Sequence, residues 1–459
     1  MKNWTDPLRV CYDLTRLVER MDAAHSTGVD RVDLHYALWM RARASVWRGV
    51  VQRSTGFVFL ENTFIDALLG SLRVRWFDAE PDSGELALIQ PEGWSWESLL
   101  ALREKLSRVT FGAVLAERGI VATLWSRLPT FSNASSVLLS QDFSSATYIN
   151  IGNCMRVESA LASIPDETRR IYFLHDVIPL THPETQKATS RAHFRKFCEY
   201  VGHSNSDIIV SSQATVDAIA TLPDGERKLL NSVASMQVCP LAVEERFAKR
   251  SDRVAKLQSC KVAGAKTLRK GVLEGGDGAM GYFLSVGTVE PRKNLELLVR
   301  VWERLVESGN AIPMLIWGGK FGWSCDKQLM RRFERLQQQG FAELRSGVSD
   351  PELLELMAGA IALLFPSKIE GWGLPLSEAL ALRVPVIASR IAVFEEVGQG
   401  VPELLELDDL DAWKSMILNY AATDSSLRAK QIQRMQCYQP LAWTQHFEQL
   451  ETLWGSLRP

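Results

Sequence analysis

The sequence lacks several features that would assign it to a familiar class of protein. Its seven cysteines are scattered, without the close pairs that bind zinc or carry out redox chemistry, and this usage is typical of a reducing cytoplasm. No run of about eighteen apolar residues is present and the N-terminus does not resemble a signal peptide, so we expect no membrane span, while peripheral attachment stays open. The formal net charge is only −2, so no affinity for nucleic acid is expected.

The sequence also lacks the common motifs for nucleotide cofactors and metals. No G-x-G-x-x-G follows a first strand, which argues against an NAD(P) dehydrogenase, and Gly318, Gly319 and Lys320 do not have the spacing of a P-loop. The single Asp-x-Asp, at Asp409 and Asp411, follows a short apolar run and is typical of a helix cap. We therefore predict no metal site.

What the 459 residues do contain is an alternation of short apolar runs and longer helical patterns. This alternation predicts an α/β fold with parallel sheets and crossover helices, and the length favours roughly two to three domains. The predicted strands are residues 8–14, 57–60, 72–77, 136–139, 147–151, 171–175, 208–211 and 237–240 in the first half, and 282–286, 313–317, 342–345, 361–365 and 385–388 in the second.

Two segments contain several basic residues, and each has two possible interpretations. Residues 246–270 hold nine basic residues against one acid and are followed by glycines, so residues 246–280 are predicted to form a linker. Its charge indicates a solvated surface or, alternatively, a contact with anionic lipid or a phosphate-bearing acceptor. Residues 94–125 contain a helical pattern that favours a buried core helix; the alternative is a surface that binds a lipid-linked glycan at a membrane interface.

The most informative segment reads PSKIEGWGLPLSEAL and carries two carboxylates eight positions apart. Glu370 precedes a turn at Gly371 and Gly373 that can lie close to a ligand, and Pro375 is suited to the first turn of a helix, where we also place Glu378. The N-terminus of that helix attracts anions. Acids on both sides of an anion site suit a nucleotide sugar, which has phosphate in its middle and hydroxyls at both ends. The alternative is structural, because acids in a first turn complement the helix dipole.

A second anion site is predicted in the segment YFLSVGTVEPRKNLELL. Arg292 and Lys293 follow a strand, and Asn294 can cap the helix behind them. Arginine offers a planar fork to phosphate oxygens and lysine a point charge. Both turns follow strands of one predicted sheet, so they can face a common diphosphate. Taken alone, the same residues would indicate only an exposed basic turn.

The order and spacing of four segments resemble the donor domain of family-four retaining glycosyltransferases. The segments are GTVEPRKN, IWGGKFGW, VSDPELLELMAGAIALLFPSKIEGWGLPLSEAL and VPVIAS. The resemblance implies the GT-B architecture, with two Rossmann-like domains facing across a cleft and a C-terminal helix that crosses back to the first domain. The implied domains are 1–245 (acceptor side), 246–280 (linker), 281–440 (nucleotide-sugar binding) and 441–459 (crossover helix).

The resemblance also implies roles for individual residues. Glu378 resembles the acid that binds the ribose hydroxyls, and Glu370 the acid that holds hydroxyls of the transferred sugar. Lys293 resembles the diphosphate-binding lysine. Many relatives have an arginine five positions earlier, where this chain has Thr288, so Arg292 is the candidate replacement.

Further positions are implied around the donor. His175, in the segment FLHD, resembles the catalytic histidine beside the donor sugar. Gly28, in a Thr-Gly-Val turn, resembles the first-domain loop, although the usual second glycine is absent. Backbone N–H groups would approach sugar and phosphate in the turn formed by Gly371, Trp372, Gly373 and Leu374.

The function implied by the resemblance is a retaining, metal-independent hexosyltransferase that needs no cofactor, since the nucleotide sugar is a co-substrate. The segments TGVDRV and HDVIPL resemble bacterial O-antigen mannosyltransferases, which favours GDP-mannose as donor and a saccharide or lipid-linked glycan as acceptor in surface polysaccharide (lipopolysaccharide) assembly. The expected location is the cytoplasm, with contact to the inner face of the plasma membrane left open. The alternatives are a sugar-nucleotide epimerase of the same architecture and a catalytically silent glycan-binding protein.

Overall fold

The structure is a computed structural model that describes the chain in several stretches. The chain folds into two compact units. The first unit is Met1–Val210, Ala218–Cys239 and Thr452–Pro459, and the second is Ser211–Asp217 and Pro240–Glu451. The domain boundaries predicted from the sequence stay a prediction. The described residues are 9–53, 56–77, 100, 131–132, 146–153, 158–203, 206–230, 232–252, 254, 281–309, 312–322 and 326–456.

In the described part of the first unit, eight strands form a sheet in the order β4-β3-β2-β1-β5-β6-β7-β8. Strand β3 runs antiparallel to β2 and β4, and the other neighbours are parallel. All five residues of β6 are buried, as expected for a parallel strand covered on both faces. The bounds are β1 Arg9–Asp13, β2 Val46–Arg53, β3 Gly56–Leu60, β4 Phe131–Ser132, β5 Thr147–Asn150, β6 Arg170–Leu174, β7 Asp207–Val210 and β8 Ser235–Val238.

The helix at residues 62–77 corrects one sequence prediction. The strand predicted at 72–77 is wrong, because these residues end the helix Asn62–Phe77. The apolar-polar alternation of LRVRWF is typical of a strand, but Leu72 and Trp76 are buried four residues apart while Val74 is half exposed. The described helices that begin in the first half of the chain are Thr15–Arg20, Gly28–Arg43, Asn62–Phe77, Glu158–Ala162, Ile178–Thr181, Ala188–His203, Gln213–Ala220 and Asp224–Arg227.

In the second unit, six described strands form an all-parallel sheet in the order β11-β10-β9-β12-β13-β14. Alternate residues of β9 enter two hydrophobic cores: Leu284 and Val286 lie in one cluster and Phe283 in the other, so both faces of the sheet are covered. The bounds are β9 Tyr282–Val286, β10 Met314–Gly318, β11 Ala342–Arg345, β12 Leu363–Phe365, β13 Val386–Ser389 and β14 Glu403–Leu405.

Helices surround this second sheet. Phe247, on a short helix at the start of the predicted linker, is buried in the core of the second unit. The last helix overlaps the segment predicted at 441–459. The described helices are Glu245–Lys249, Leu295–Glu307, Lys327–Gln338, Asp350–Gly359, Leu374–Ala381, Ala392–Gly398, Leu410–Ala421, Ser426–Arg434 and Trp443–Ser456.

Apart from 72–77, the predicted strands that fall on described residues are confirmed within two residues of the observed bounds. The strand predicted at 136–139, most of the helix predicted within 94–125 and residues 255–280 of the predicted linker lie outside the described residues. Strands β2, β4 and β14 were not predicted. Among the helices that the structure describes, none combines the length and apolar character needed to cross a bilayer.

Candidate functional site

The turns that follow β9 and β12 lie side by side in the second unit. The two strands are parallel neighbours, with Leu284 opposite Leu363, so both chains leave the sheet at the same edge. The backbone N–H of Lys368 donates to the carbonyl of Arg292 at 2.7 Å, which ties one turn to the other. Ligands of open α/β sheets gather at this edge.

Glu370 is the centre of an ion cluster at this edge. Its Oε1 lies 2.5 Å from Nζ of Lys293, and its Oε2 lies 2.7 Å from Nη1 of Arg292. The Arg292 guanidinium also contacts Glu290 at 2.7 Å. The structure therefore brings together three residues that the sequence analysis singled out, and it pairs the predicted diphosphate-binding cations with the predicted sugar-binding acid.

Burial and charge act in opposite directions on this cluster. Burial alone would raise the pKa of Glu370, but the positive charges of Arg292 and Lys293 outweigh it and lower that pKa to about 2. Burial lowers the pKa of Lys293, and Glu370 opposes this effect. The Lys293 ammonium also lies 4.9 Å from the ring centre of Phe365, within cation–π range. Glu370 is thus ionised at neutral pH.

Two glycines allow the turns to adopt these positions. Gly287 has φ +135°, and a Cβ there would lie 3.2 Å from Cε of Lys293. Gly373 has φ +92°, and a Cβ there would lie 2.7 Å from the Phe394 ring. L-residues rarely adopt such φ values.

The helices behind the turns correct two predictions. Pro375 is in the first turn of Leu374–Ala381, as predicted, but Glu378 is the fifth residue of that helix, so its placement in the first turn is wrong. Glu378 is 2% exposed. Asn294 immediately precedes the helix Leu295–Glu307, but it has φ 58° and its side chain makes no cap hydrogen bond, so the predicted side-chain cap is wrong.

Thr288 lies in the same region as the ion cluster. The adjacent carbonyl of Gly287 accepts a hydrogen bond from the Trp317 indole at 2.8 Å, and the backbone N–H of Val289 donates to the carbonyl of Lys320 at 2.9 Å. The loop that contains Thr288 is therefore fixed to the segment after β10, at the carboxyl end of the sheet.

The remaining predicted residues belong to the first unit. His175 directly follows β6 and its Nε2 lies 2.8 Å from the carbonyl of Ile151, so Nε2 carries the proton when the ring is neutral. Burial lowers the pKa of His175 to about 4. Gly28 is the first residue of Gly28–Arg43, whose capping box pairs Thr27 with Asp30. The roles predicted for His175 and Gly28 stay predictions.

Sequence reasoning missed a buried acidic group in the first unit. Asp30 is held by Arg16 at 2.7 Å and Arg20 at 3.2 Å, and Asp33 accepts a hydrogen bond from Tyr12 at 2.7 Å. Burial raises the pKa of Asp33 to about 8. The signal was present, because two acids three positions apart in TGVDRVD share one face of a helix.

A second omission lies in the second unit. The carbonyl of Gly371 accepts hydrogen bonds from the hydroxyls of Ser211 and Ser212, both at 3.1 Å. These serines are about 160 positions away in the sequence, and no local pattern links them to the turn.

Comparison with known proteins shows what this region is similar to. Residues 277–399, within the second unit, match the family model described as glycosyl transferases group 1. Two curated relatives have more specific names than the family model. The chain is 34% identical over 146 residues to O-antigen chain mannosyltransferase B of Escherichia coli, covering 32% of this chain and 38% of that protein. It is 27% identical over 277 residues to the serotype-specific mannosyltransferase WbdA of Escherichia coli, covering 59% of this chain and 31% of that protein.

The chain therefore spans less than two fifths of the length of these curated relatives. Among solved structures, sucrose-phosphate synthase from Thermosynechococcus elongatus matches with a TM-score of 0.55 and 14% identity, over 98% of this chain and 99% of that one. This likeness concerns the fold alone. The predicted resemblance to a glycosyltransferase domain is confirmed for residues 277–399, and the predicted α/β fold class with Rossmann-like, parallel-sheet domains is confirmed.

Proposed function

We propose that this chain is a glycosyltransferase that transfers a hexose from a nucleoside diphosphate sugar to a saccharide acceptor. One observation carries the proposal: Arg292, Lys293 and Glu370 meet at the carboxyl edge of the second sheet, within the region that matches the glycosyl transferases group 1 model. This arrangement supplies cations for a diphosphate and a carboxylate for sugar hydroxyls.

The chemistry follows from where charge develops. Transfer breaks the bond between the anomeric carbon and the diphosphate, so negative charge grows on the leaving phosphate, and fixed cations stabilise it. Lys293 and Arg292 would take this role. A bound diphosphate would compete with Glu370 for both cations, and the carboxylate would then accept hydrogen bonds from the transferred sugar. Glu378 would bind the ribose hydroxyls.

We further propose that the reaction retains the anomeric configuration and requires no metal ion. The Asp-x-Asp carboxylates already have structural partners: Asp409 caps a helix by accepting from Ala412 N–H at 2.9 Å, and Asp411 pairs with Arg304 at 2.7 Å. Transfer that stops in EDTA and returns with Mg²⁺ or Mn²⁺ would refute metal independence. An inverted anomeric product, identified by NMR, would refute retention.

The proposed donor is GDP-mannose and the proposed acceptor is a glycan of surface polysaccharide, such as O-antigen, because both curated relatives are named mannosyltransferases. Calorimetric titration with GDP-, UDP-, ADP- and TDP-sugars tests the donor, and a preference for another base would refute GDP-mannose. Absence of binding to all four nucleotide sugars would count against the whole proposal. Release of nucleotide that depends on an acceptor glycan separates a transferase from an epimerase or a silent binding protein.

We also propose a cytoplasmic location with peripheral membrane contact, since the acceptor in surface polysaccharide assembly is lipid-linked. Flotation of the full chain with anionic liposomes tests the contact. Absence of binding would remove it.

A further inference from the structure

Residues 211–217 follow β7 of the first unit in the sequence but belong to the second unit. Ser211 and Ser212 are 1% and 0% exposed, and both hydroxyls donate to the carbonyl of Gly371 at 3.1 Å. That carbonyl therefore has two hydroxyl donors for its two lone pairs. A single carbonyl with two buried side-chain donors is fixed in direction.

Thr215 orients one of these donors. Ser212 Oγ accepts from the backbone N–H of Thr215 at 3.1 Å and lies 2.9 Å from the Thr215 hydroxyl. Because a hydroxyl has one proton and that of Ser212 is used on Gly371, the Thr215 hydroxyl donates to Ser212. The proton of Ser212 is thereby directed at the turn.

The helix Ala392–Gly398 holds both the segment and the turn. Its Glu396 accepts from the backbone N–H groups of Gln213 at 2.9 Å and Ala214 at 3.1 Å, one on each carboxylate oxygen. Two residues earlier, Phe394 lies against Gly373 and stacks on Phe365 at 5.0 Å. The position of residues 211–217 relative to the turn is thus determined in two ways, directly by the two serine hydroxyls and indirectly through the helix Ala392–Gly398.

The carbonyl direction decides where the next N–H points. In a trans peptide the C=O and the following N–H are antiparallel, so fixing the Gly371 carbonyl fixes the Trp372 N–H on the opposite side. Within the described residues, the structure gives that N–H no protein acceptor. It belongs to the turn of residues 371–374, whose backbone N–H groups are predicted from the sequence to approach sugar and phosphate.

We propose that Ser211 and Ser212 are positioning residues of the donor site, which hold the Gly371 peptide so that the Trp372 N–H faces the transferred sugar. Neither serine touches the ligand in this proposal. The inference rests on the proposed function, because the sugar is the ligand that this function provides.

The test compares the wild-type chain with Ser211→Ala, Ser212→Ala and the double variant. Ser285→Ala is the matched control, because Ser285 is also a buried serine of the second unit, 1% exposed, and its hydroxyl makes no hydrogen bond within the described part of the chain. Each protein is assayed for kcat and KM with the preferred nucleotide sugar, for affinity towards the matching free nucleoside diphosphate, and for hydrogen exchange of amides 369–377 without ligand, among which Leu376 and Ser377 donate to the Gly373 carbonyl.

We expect the double variant to lose kcat on the order of 10- to 100-fold, since misplacement of a contact by about 1 Å can cost as much as 100-fold. Its affinity for the nucleoside diphosphate should change less than about threefold, because the altered contact serves the sugar. Exchange at 369–377 should rise, while Ser285→Ala matches the wild type in all three measurements.

Unchanged kcat together with unchanged exchange at 369–377 would overturn the inference. So would a rise in exchange that spreads evenly through the second unit, since the serines would then be ordinary packing residues. If the wild type transfers no sugar at all, the proposed function fails. The exchange data then decide the positioning separately, because a local rise at 369–377 supports it and no rise refutes it.

Discussion

At the residue scale, the cluster of Arg292, Lys293 and Glu370 is better explained by function than by stability. Removing charges from water is costly, and a buried ion pair often contributes no more to folding than apolar residues of similar size would. Here two cations and a carboxylate are nonetheless held on turns that leave the same edge of a sheet. The proposed exchange of a charged ligand with this carboxylate would account for the arrangement.

Substitution of Lys293 tests whether the cluster binds a charged ligand. Lys293→Ala should lower kcat by about 10²–10³-fold, because the growing charge on the leaving phosphate loses a fixed cation. It should also raise the pKa of Glu370, since one of the two charges that lower it is removed. Steady-state kinetics measure the first effect, with Lys327→Ala, at an exposed lysine of the same unit, as control. Equal activity of the two variants would contradict the assignment.

His175 should make stability depend on pH in a definite window. Its pKa is about 4 in the folded chain and ordinarily near 6.5, so the unfolded chain binds the proton first as pH falls. The associated stability, up to about 3 kcal/mol, is present above about pH 6.5 and is lost as pH falls towards about 4. Chemical denaturation at several pH values should show a flatter profile for His175→Gln in this window.

The matched control for this measurement is His193→Gln, because His193 is exposed. It should keep the wild-type slope between pH 6.5 and 4. If His175→Gln also keeps that slope, another group is responsible for it.

At the element scale, the sequence was most informative where a pattern is local. The strands at 282–286 and 342–345 were predicted with their observed bounds, and the turn residues of both motifs follow the strands expected of them. Prediction failed where a local pattern had two interpretations. The alternation of LRVRWF suits a strand in isolation, and only the packing of Trp76 and Leu72 on one side shows a helix.

Contacts between distant segments could not be predicted. The hydrogen bonds from Ser211 and Ser212 to Gly371 join segments about 160 positions apart, and the pairing of Glu370 with Lys293 spans 77. Nothing in the local chemistry of a serine pair after a strand identifies its acceptor. The sequence therefore predicted which turns meet, but not what holds them in place.

The turn at Gly373 provides a prediction with an internal control. Gly373→Ala should destabilise the chain by more than Gly340→Ala, because both positions have positive φ but a Cβ meets the Phe394 ring only at 373 and open space at 340. The strained φ alone costs about 1 kcal/mol, and the clash adds roughly 1–3 kcal/mol. Denaturant midpoints measure the difference, and equal midpoints would show that the ring moves aside freely.

At the scale of the whole molecule, each unit is built on its own sheet, and the chain passes between the units more than once. It leaves the first unit after Val210, returns at Ala218, leaves again after Cys239 and returns at Thr452. The last helix, Trp443–Ser456, thus contributes residues to both units. Local changes along this one helix should therefore affect different parts of the molecule.

Trp454 is the residue that tests this division. It is 4% exposed and its ring lies 5.8 Å from that of Trp39, in the helix Gly28–Arg43 of the first unit. Trp454→Ala should cost about 3–5 kcal/mol, the usual range for truncation of a buried tryptophan. Hydrogen exchange should increase mainly in the first unit, around residues 28–43. Trp443→Ala is the matched control, because Trp443 is on the same helix but belongs to the second unit. It should leave residues 28–43 protected. An equal loss of protection in both units with either variant would show that the helix stabilises the molecule as one cooperative body.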